Sequence, residues 1–334
     1  MPEASVLTSR EARIGHILLN RPQALNALDI GMIRALTAAL AGWRDDPAVH
    51  AVVVEGAGGR AFCAGGDVRA IRAHALAGEP APIEAFFSEE YALNRMIAEY
   101  PKPYVALIDG ICMGGGIGIS VHGQVRAATG AATFAMPETA IAMFPDVGMS
   151  FVLPRLPGAL GIFLGLTGTR LAGADAVHAG LATHFVPKAD LPALAAALPH
   201  EGAAEVAAHA RTLPPFVLAP HRAAIDRCFG ADSVADILAR LEAEATDWSR
   251  ATLATLRTMS PSSVLWSFEV MRRGAGLPLA ECLAMELKLT RHVTTHPDFA
   301  EGVRAMVVDK DRTPNWQPAR IENVAPGAIA AMFA

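Results

Sequence analysis

Within residues 104–148, the apolar run Tyr104 to Ile108 meets Asp109-Gly110 and then Gly114, Gly115, Gly116 and Gly118, reading YVALIDGICMGGGIG. An apolar run of this length, bounded by turn residues, predicts a buried strand. The glycines beyond it let the main chain approach a ligand closely, and N–H groups at a helix start point towards negative charge. That geometry suits a developing oxyanion. Two carboxylates follow, Glu138 in MPET and Asp146 in FPDVG, each beside a proline and among apolar residues. Acids so placed are not expected to be ordinary solvated charges.

Other stretches fill in an alternating pattern. Residues 13–19 (RIGHILL) predict a strand ending at Asn20-Arg21-Pro22, and Asp29 is placed to cap a helix with Met32, Ile33, Leu36, Leu40 and Trp43 on one face. Residues 51–55 predict a second buried strand, followed by a first glycine-rich turn at 56–71. A helix is expected over 83–100, further short strands over 125–129, 133–135 and 183–186, and helical pattern from Gly158 onward. Beyond Lys188 the pattern is amphipathic and helical, as at 234–241, 262–271 and 279–289, with breaks at Pro214-Pro215, Pro261 and Gly274 to Gly276. Strands alternating with helices give an α/β class, with a layered core over residues 1–190 and a helical C-terminal region over 191–334.

Composition narrows the function. A chain of 334 residues affords a large core, and 52% hydrophobic with only 6% aromatic rests that core on Ala, Leu, Val and Ile. A net charge of −5 with no dense basic run argues against nucleic acid as a partner. No stretch reaches the roughly 18 apolar residues of a membrane span, and no basic-then-apolar leader is read at the start. The expectation is a soluble cytoplasmic protein that does not engage membranes. Cys63, Cys112, Cys228 and Cys282 lack C-x-x-C spacing and no H-E-x-x-H occurs, so no metal site is expected.

Familiar nucleotide and nucleophile motifs fit poorly. Gly56, Gly58 and Ala61 match G-x-G-x-x-A after a strand, but Gly65 and Gly66 interrupt the helix a dinucleotide site needs, and no G-K-[ST] is present. The nearest approach to G-x-S-x-G, Gly118-Ile119-Ser120-Val121-His122, fails at its last position. Cys63 or Cys112 would need His122 or His184 as base; buried apolar cysteines and hydrogen-bonded core histidines are the favoured reading.

The succession LNRPQALNAL, AFCAGGD, VALIDGICMGGGIG and FAMPETAIAMFPDVGMSFVLPRL, with LTGTRLAGADAVHAGLATHFV after it, resembles the crotonase (enoyl-CoA hydratase/isomerase) superfamily. Within that superfamily it is most similar to the branch that hydrolyses small branched 3-hydroxyacyl-CoA thioesters of valine breakdown. The resemblance implies a crotonase-like spiral of ββα repeats that binds acyl-CoA, with the thioester held between two backbone N–H groups. Carried over by motif, those donors are Gly66 and Gly115. Arg21, Ala24, Leu25 and Arg60 would face the CoA nucleotide, though exposed arginines also serve as plain surface charge. Glu90 would bind substrate, its alternative being a solvated helix glutamate.

Two-glutamate hydratases carry an acid just after GGG-x; here Gly118 stands there, while Glu138 keeps the second acid and Asp146 follows it. The resemblance therefore implies thioester hydrolysis with Glu138 and Asp146 as catalytic acids, releasing a 3-hydroxy acid and free CoA. It leaves an enoyl-CoA hydratase/isomerase and a non-catalytic CoA-binding protein as alternatives. No cofactor is implied, CoA being part of the substrate, and there is room for a homo-oligomer.

Overall fold

The computed structural model describes residues 4–201 and 204–333. In chain order its strands are β1 (Val6–Glu11), β2 (Ile14–Leu19), β3 (Ala51–Gly56), β4 (Ala61–Cys63), β5 (Tyr104–Ile108), β6 (Ile111–Met113), β7 (Val125–Ala128), β8 (Thr133–Ala135), β9 (Leu171–Ala172) and β10 (His184–Phe185). The chain divides into two compact units that interleave along the sequence. The first holds the described residues up to Gly66, with Glu89–Ala135 and Arg170–Val217; the second holds Asp67–Ser88, Met136–Thr169 and the described residues from Leu218 on. A single boundary near residue 190 does not coincide with this division. The reason is physical: the segment carrying MPET and FPDVG bonds to the C-terminal helices, the Ser260 N–H donating to the Thr139 carbonyl at 3.1 Å and Trp266 Nε1 to the Met143 carbonyl at 3.0 Å.

In the first unit, six strands form a sheet in the order β1-β2-β3-β5-β7-β10 and four form a second in the order β4-β6-β8-β9. Each of β3, β5 and β7 enters the larger sheet, and the strand that follows it, β4, β6 or β8, enters the smaller one. Parallel pairing of β2, β3, β5 and β7 in one sheet and of β4, β6 and β8 in the other makes the expected spiral. Every residue of β5 is buried, as parallel strands covered on both faces require. Val53, Val105, Leu107, Ala127 and Val186 lie in one apolar cluster with Leu194, Leu198 and Val206 from beyond the last strand.

Several helices of the second unit begin on side-chain caps. Ser233 accepts from the Asp236 N–H, Thr246 and Ser249 form a capping box, and Ser260 accepts from the Ser263 N–H. Pro261, expected as a break, is the first residue of the helix Pro261–Gly274, where its missing N–H costs nothing. Among the described residues no helix is long and apolar enough to cross a membrane.

Candidate active site

In the first unit the motif LNRPQALNAL is a loop tied down by asparagine. Leu25 and Asn26 are left-handed at φ 53° and 56°, a region Asn tolerates better than most residues. Asn26 is fully buried; its Nδ2 donates to the carbonyls of Ala57 (3.0 Å) and Ala61 (2.8 Å), and its Oδ1 accepts the Arg21 N–H (2.9 Å). The loop in turn pairs with AFCAGGD, the Leu28 N–H donating to the Gly65 carbonyl at 2.8 Å and the Ala64 N–H to Leu25 at 3.0 Å. Arg21, Ala24 and Leu25 are therefore carried on the same small framework as Gly66. The Arg21 guanidinium donates to the Ala27 carbonyl at 3.1 Å and lies 3.8 Å from Asp29, so it braces the loop; Arg60 is exposed.

Gly115 opens the helix Gly115–Val121, so its N–H has no acceptor inside the helix. A Cβ on Gly115 would stand 3.3 Å from the Gly66 nitrogen and 2.5 Å from Glu90 Oε1. One on Gly116 would meet the Cys63 carbonyl at 2.2 Å, which is why the helix packs so closely on β4. Gly66, Gly115 and Glu90 thus converge, two backbone amides beside one carboxyl group. Glu90 is only 2% exposed, which rules out the solvated-helix alternative.

Glu138 and Asp146 lie in the second unit, and both are buried. Glu138 starts the short 3-10 turn Glu138–Ile141, whose Thr139 hydroxyl donates to the Leu166 carbonyl at 3.2 Å. Met143 follows, its carbonyl taking hydrogen bonds from the Ser263 hydroxyl and Trp266 Nε1. Past Asp146 the backbone is left-handed at Val147 (φ 52°) and again at Gly148 (φ 83°). A buried β-branched residue there stores strain of about 1–3 kcal/mol, of the kind held at functional sites by surrounding bonds. Those bonds come from Glu286. Its Oε2 accepts the Gly148 N–H at 2.8 Å, its Oε1 accepts the Ser150 N–H at 3.0 Å, and Oε1 also meets the Ser150 hydroxyl. Burial outweighs these donors and pushes the Glu286 carboxyl up to about 8, with the Asp146 charge acting in the same sense.

Nothing in the sequence marked Glu286: in LAECLAMELKLTRHV it reads as one more polar position of an amphipathic helix. Asn26 was quoted in its motif without a role. An asparagine shortly after Arg21-Pro22, a residue type that tolerates the left-handed region in turns, was the available signal.

The rejected nucleophiles are inert in the structure. Burial pushes the Cys63 thiol up to about 12 and raises Cys112 further in the same direction, so neither supplies a thiolate. The Ser120 hydroxyl is buried within its helix and donates back to the Gly116 carbonyl at 2.9 Å. Burial lowers His184, whose Nδ1 is 2.8 Å from the Thr183 hydroxyl. Among the described residues no three His, Cys, Asp or Glu side chains are grouped to hold a metal ion.

A double-sheet spiral with paired glycine amides and a buried acid turn defines a fold for acyl-thioester chemistry. The chain belongs to the enoyl-CoA hydratase/isomerase family, whose model matches residues 14–333. Its relatives include a mitochondrial 3-hydroxyisobutyryl-CoA hydrolase of Xenopus tropicalis, 44% identical and covering 99% of this chain and 89% of its own. The corresponding Homo sapiens hydrolase is 43% identical, covering 96% and 86%. A solved carnitinyl-CoA dehydratase from Mycobacterium thermoresistibile is 40% identical with a TM-score of 0.95, covering 99% of this chain and 97% of its own. The cytoplasmic location expected above is overturned by the two hydrolases, whose names place them in mitochondria. The lack of an apolar span of membrane length, on which that expectation leaned, does not distinguish one aqueous compartment from another.

Proposed function

We infer that this chain hydrolyses the thioester of a small branched 3-hydroxyacyl-CoA, with 3-hydroxyisobutyryl-CoA foremost, giving 3-hydroxyisobutyrate and free CoA. The observation that carries this reading is the pair of buried acids on the braced turn, Glu138 and Asp146, combined with glycine at position 118. Hydration across a double bond by two glutamates lacks its first acid here. Hydrolysis needs an oxyanion hole and a means of delivering water, and the Gly66 and Gly115 amides and the two buried acids support that reading.

In this reading the Gly66 and Gly115 N–H groups stabilise the thioester oxygen as it becomes an oxyanion, each such donor being worth about 2.7–4 kcal/mol. Glu138 either takes a proton from the attacking water or attacks the carbonyl itself, forming an anhydride that water opens. The C–S bond breaks as the tetrahedral intermediate collapses, to the free acid in the first route and to the anhydride, before water opens it, in the second. Asp146 orients the acid or water and supplies a proton to the departing thiolate. Glu90 meets the acyl end of the substrate, and Arg21, Ala24, Leu25 and Arg60 face the CoA nucleotide. No resident cofactor takes part, since CoA arrives with the substrate. Nucleic acid and membrane have no role, and a homo-oligomer is compatible with the scheme.

A dehydratase or hydratase is the second reading, favoured by the name of the 40% identical structure. Initial rates separate the two. Thiol release from 3-hydroxyisobutyryl-CoA or 3-hydroxypropionyl-CoA should far outpace loss of the crotonyl-CoA enone absorbance. Equal or faster loss of that absorbance sinks the hydrolase reading, and CoA esters bound without turnover of either kind would leave only a binding protein.

A further inference from the structure

A catalytic carboxylate is useful only if the turn that carries it is fixed. The turn after Asp146 is an expensive one to fix, with a valine and then a glycine both left-handed. Glu286 reaches this turn from the helix Leu279–Val293, fully buried, and meets the two residues that complete it. Gly148 N–H, Ser150 N–H and the Ser150 hydroxyl all converge on its two oxygens. Three contacts to one carboxyl define both the position and the rotation of that backbone, and the Met149 N–H closes the turn on the Asp146 carbonyl at 2.9 Å.

We propose that Glu286 is a positioning residue for the reaction, setting the Asp146 carboxyl group through the Gly148–Ser150 backbone and by its charge state beside it. The proposal rests on the hydrolase reading above for its substrate, and on the turn geometry for its residue. The groups that face Glu286 are few. Asp146 and Ser150 come from the turn, and Cys282 lies one helical turn earlier on the same helix with its thiol raised by burial. Arg155, near Cys282, directs its guanidinium to the carbonyls of Phe151, Gly274 and Leu277. Glu286 and Asp146 are therefore two acids in one low-dielectric region, where loss of a proton from either disfavours loss from the other. Changing Glu286 should alter how Asp146 titrates as well as where it sits.

Glutamine at 286 keeps the volume and cannot ionise, but its amide NH2 must face one of two N–H donors, so one bond to the turn is lost. The experiment is a double-mutant cycle on purified full-length protein: wild type, Glu286→Gln, Asp146→Asn and both together, with kcat and KM for 3-hydroxyisobutyryl-CoA followed across pH. The expected result for Glu286→Gln is a kcat lower by about 10- to 100-fold, the scale of a group misplaced by about 1 Å, with KM changed by less than about threefold. A shifted kcat–pH profile should accompany it, and the Glu286→Gln effect should largely vanish in the Asp146→Asn background. Unchanged kcat and pH profile in a folded Glu286→Gln enzyme, or effects that simply add in the double mutant, would overturn the proposal. If Glu286→Gln does not fold, Ser150→Ala removes one of the three contacts and takes its place in the cycle, with the same signs and a smaller loss. An enzyme that hydrates crotonyl-CoA but cleaves no hydroxyacyl thioester fails the hydrolase reading, and the same cycle read on hydration then decides Glu286 separately.

Discussion

Gly115 carries the sharpest prediction at the scale of single residues. Its backbone is helical, so alanine meets no conformational penalty there and gains up to about 1 kcal/mol of helix propensity. The added Cβ, however, would stand 2.5 Å from Glu90 Oε1 and 3.3 Å from the Gly66 nitrogen, in the space a thioester oxygen needs. Gly115→Ala is therefore expected to unfold within about 1 kcal/mol of wild type while kcat falls by about 100- to 1,000-fold, the scale of one oxyanion donor, because the Cβ keeps the thioester oxygen from an N–H that is itself retained. Calorimetry and initial rates on one preparation check both halves. Near-normal turnover in the alanine variant would remove Gly115 from the site. Glu90 shows the complementary lesson: the sequence left it balanced between substrate group and solvated charge, and burial removes the second reading.

At the scale of elements, the helix Pro261–Gly274 holds the acid turn by one carbonyl. Met143 receives both the Ser263 hydroxyl and Trp266 Nε1, and Trp266 is 1% exposed. Gly302, in the helix Pro297–Val303, packs so closely on the same segment that a Cβ there would stand 2.7 Å from the Ile141 backbone. Helices that the sequence offered only as a C-terminal region are thus the mould of the segment that carries the two acids. Trp266→Phe removes one bond and some buried volume, so a loss of about 1–3 kcal/mol is expected in urea unfolding. Turnover should fall more than substrate affinity does. A variant equal to wild type in both would show that the Ser263 hydroxyl alone suffices.

For the whole molecule, pH dependence of stability follows from the buried acid. Glu286 is raised from 4.5 to about 8, so the folded protein binds a proton that the unfolded chain has released over that interval. Its contribution is fully present below about pH 4.5 and is lost as pH rises through about 8. Asp298, also raised by burial, acts in the same sense. His184 and His296, lowered by burial, act oppositely: their contribution is present above 6.5 and is lost as pH falls through their folded values. Melting curves of wild type and Glu286→Gln between about pH 5 and 9 isolate the first effect. Wild type should lose ground steadily against the variant as pH rises; a difference independent of pH would show that burial does not hold a proton on Glu286.

The sequence by itself determined the alternating α/β core, because runs such as β5 are apolar and bounded by proline or glycine, its ordered motifs carried the spiral through their resemblance to a known family, and it located both acids, because proline-flanked carboxylates among apolar residues stand out without any neighbour. The short strands β4, β6 and β9 were not legible, since they lie in glycine-rich or helical-pattern stretches and become strands only when a distant segment pairs with them. The division of the chain was likewise decided by tertiary structure: strands 51–56 and 104–108 pair with each other, while the acid segment after residue 135 bonds to helices more than a hundred residues further on. Glu286 is the clearest case. A glutamate on an amphipathic helix is solvated by default, and only the arrival of the Gly148 and Ser150 N–H groups, from a turn far away in sequence, makes its burial affordable.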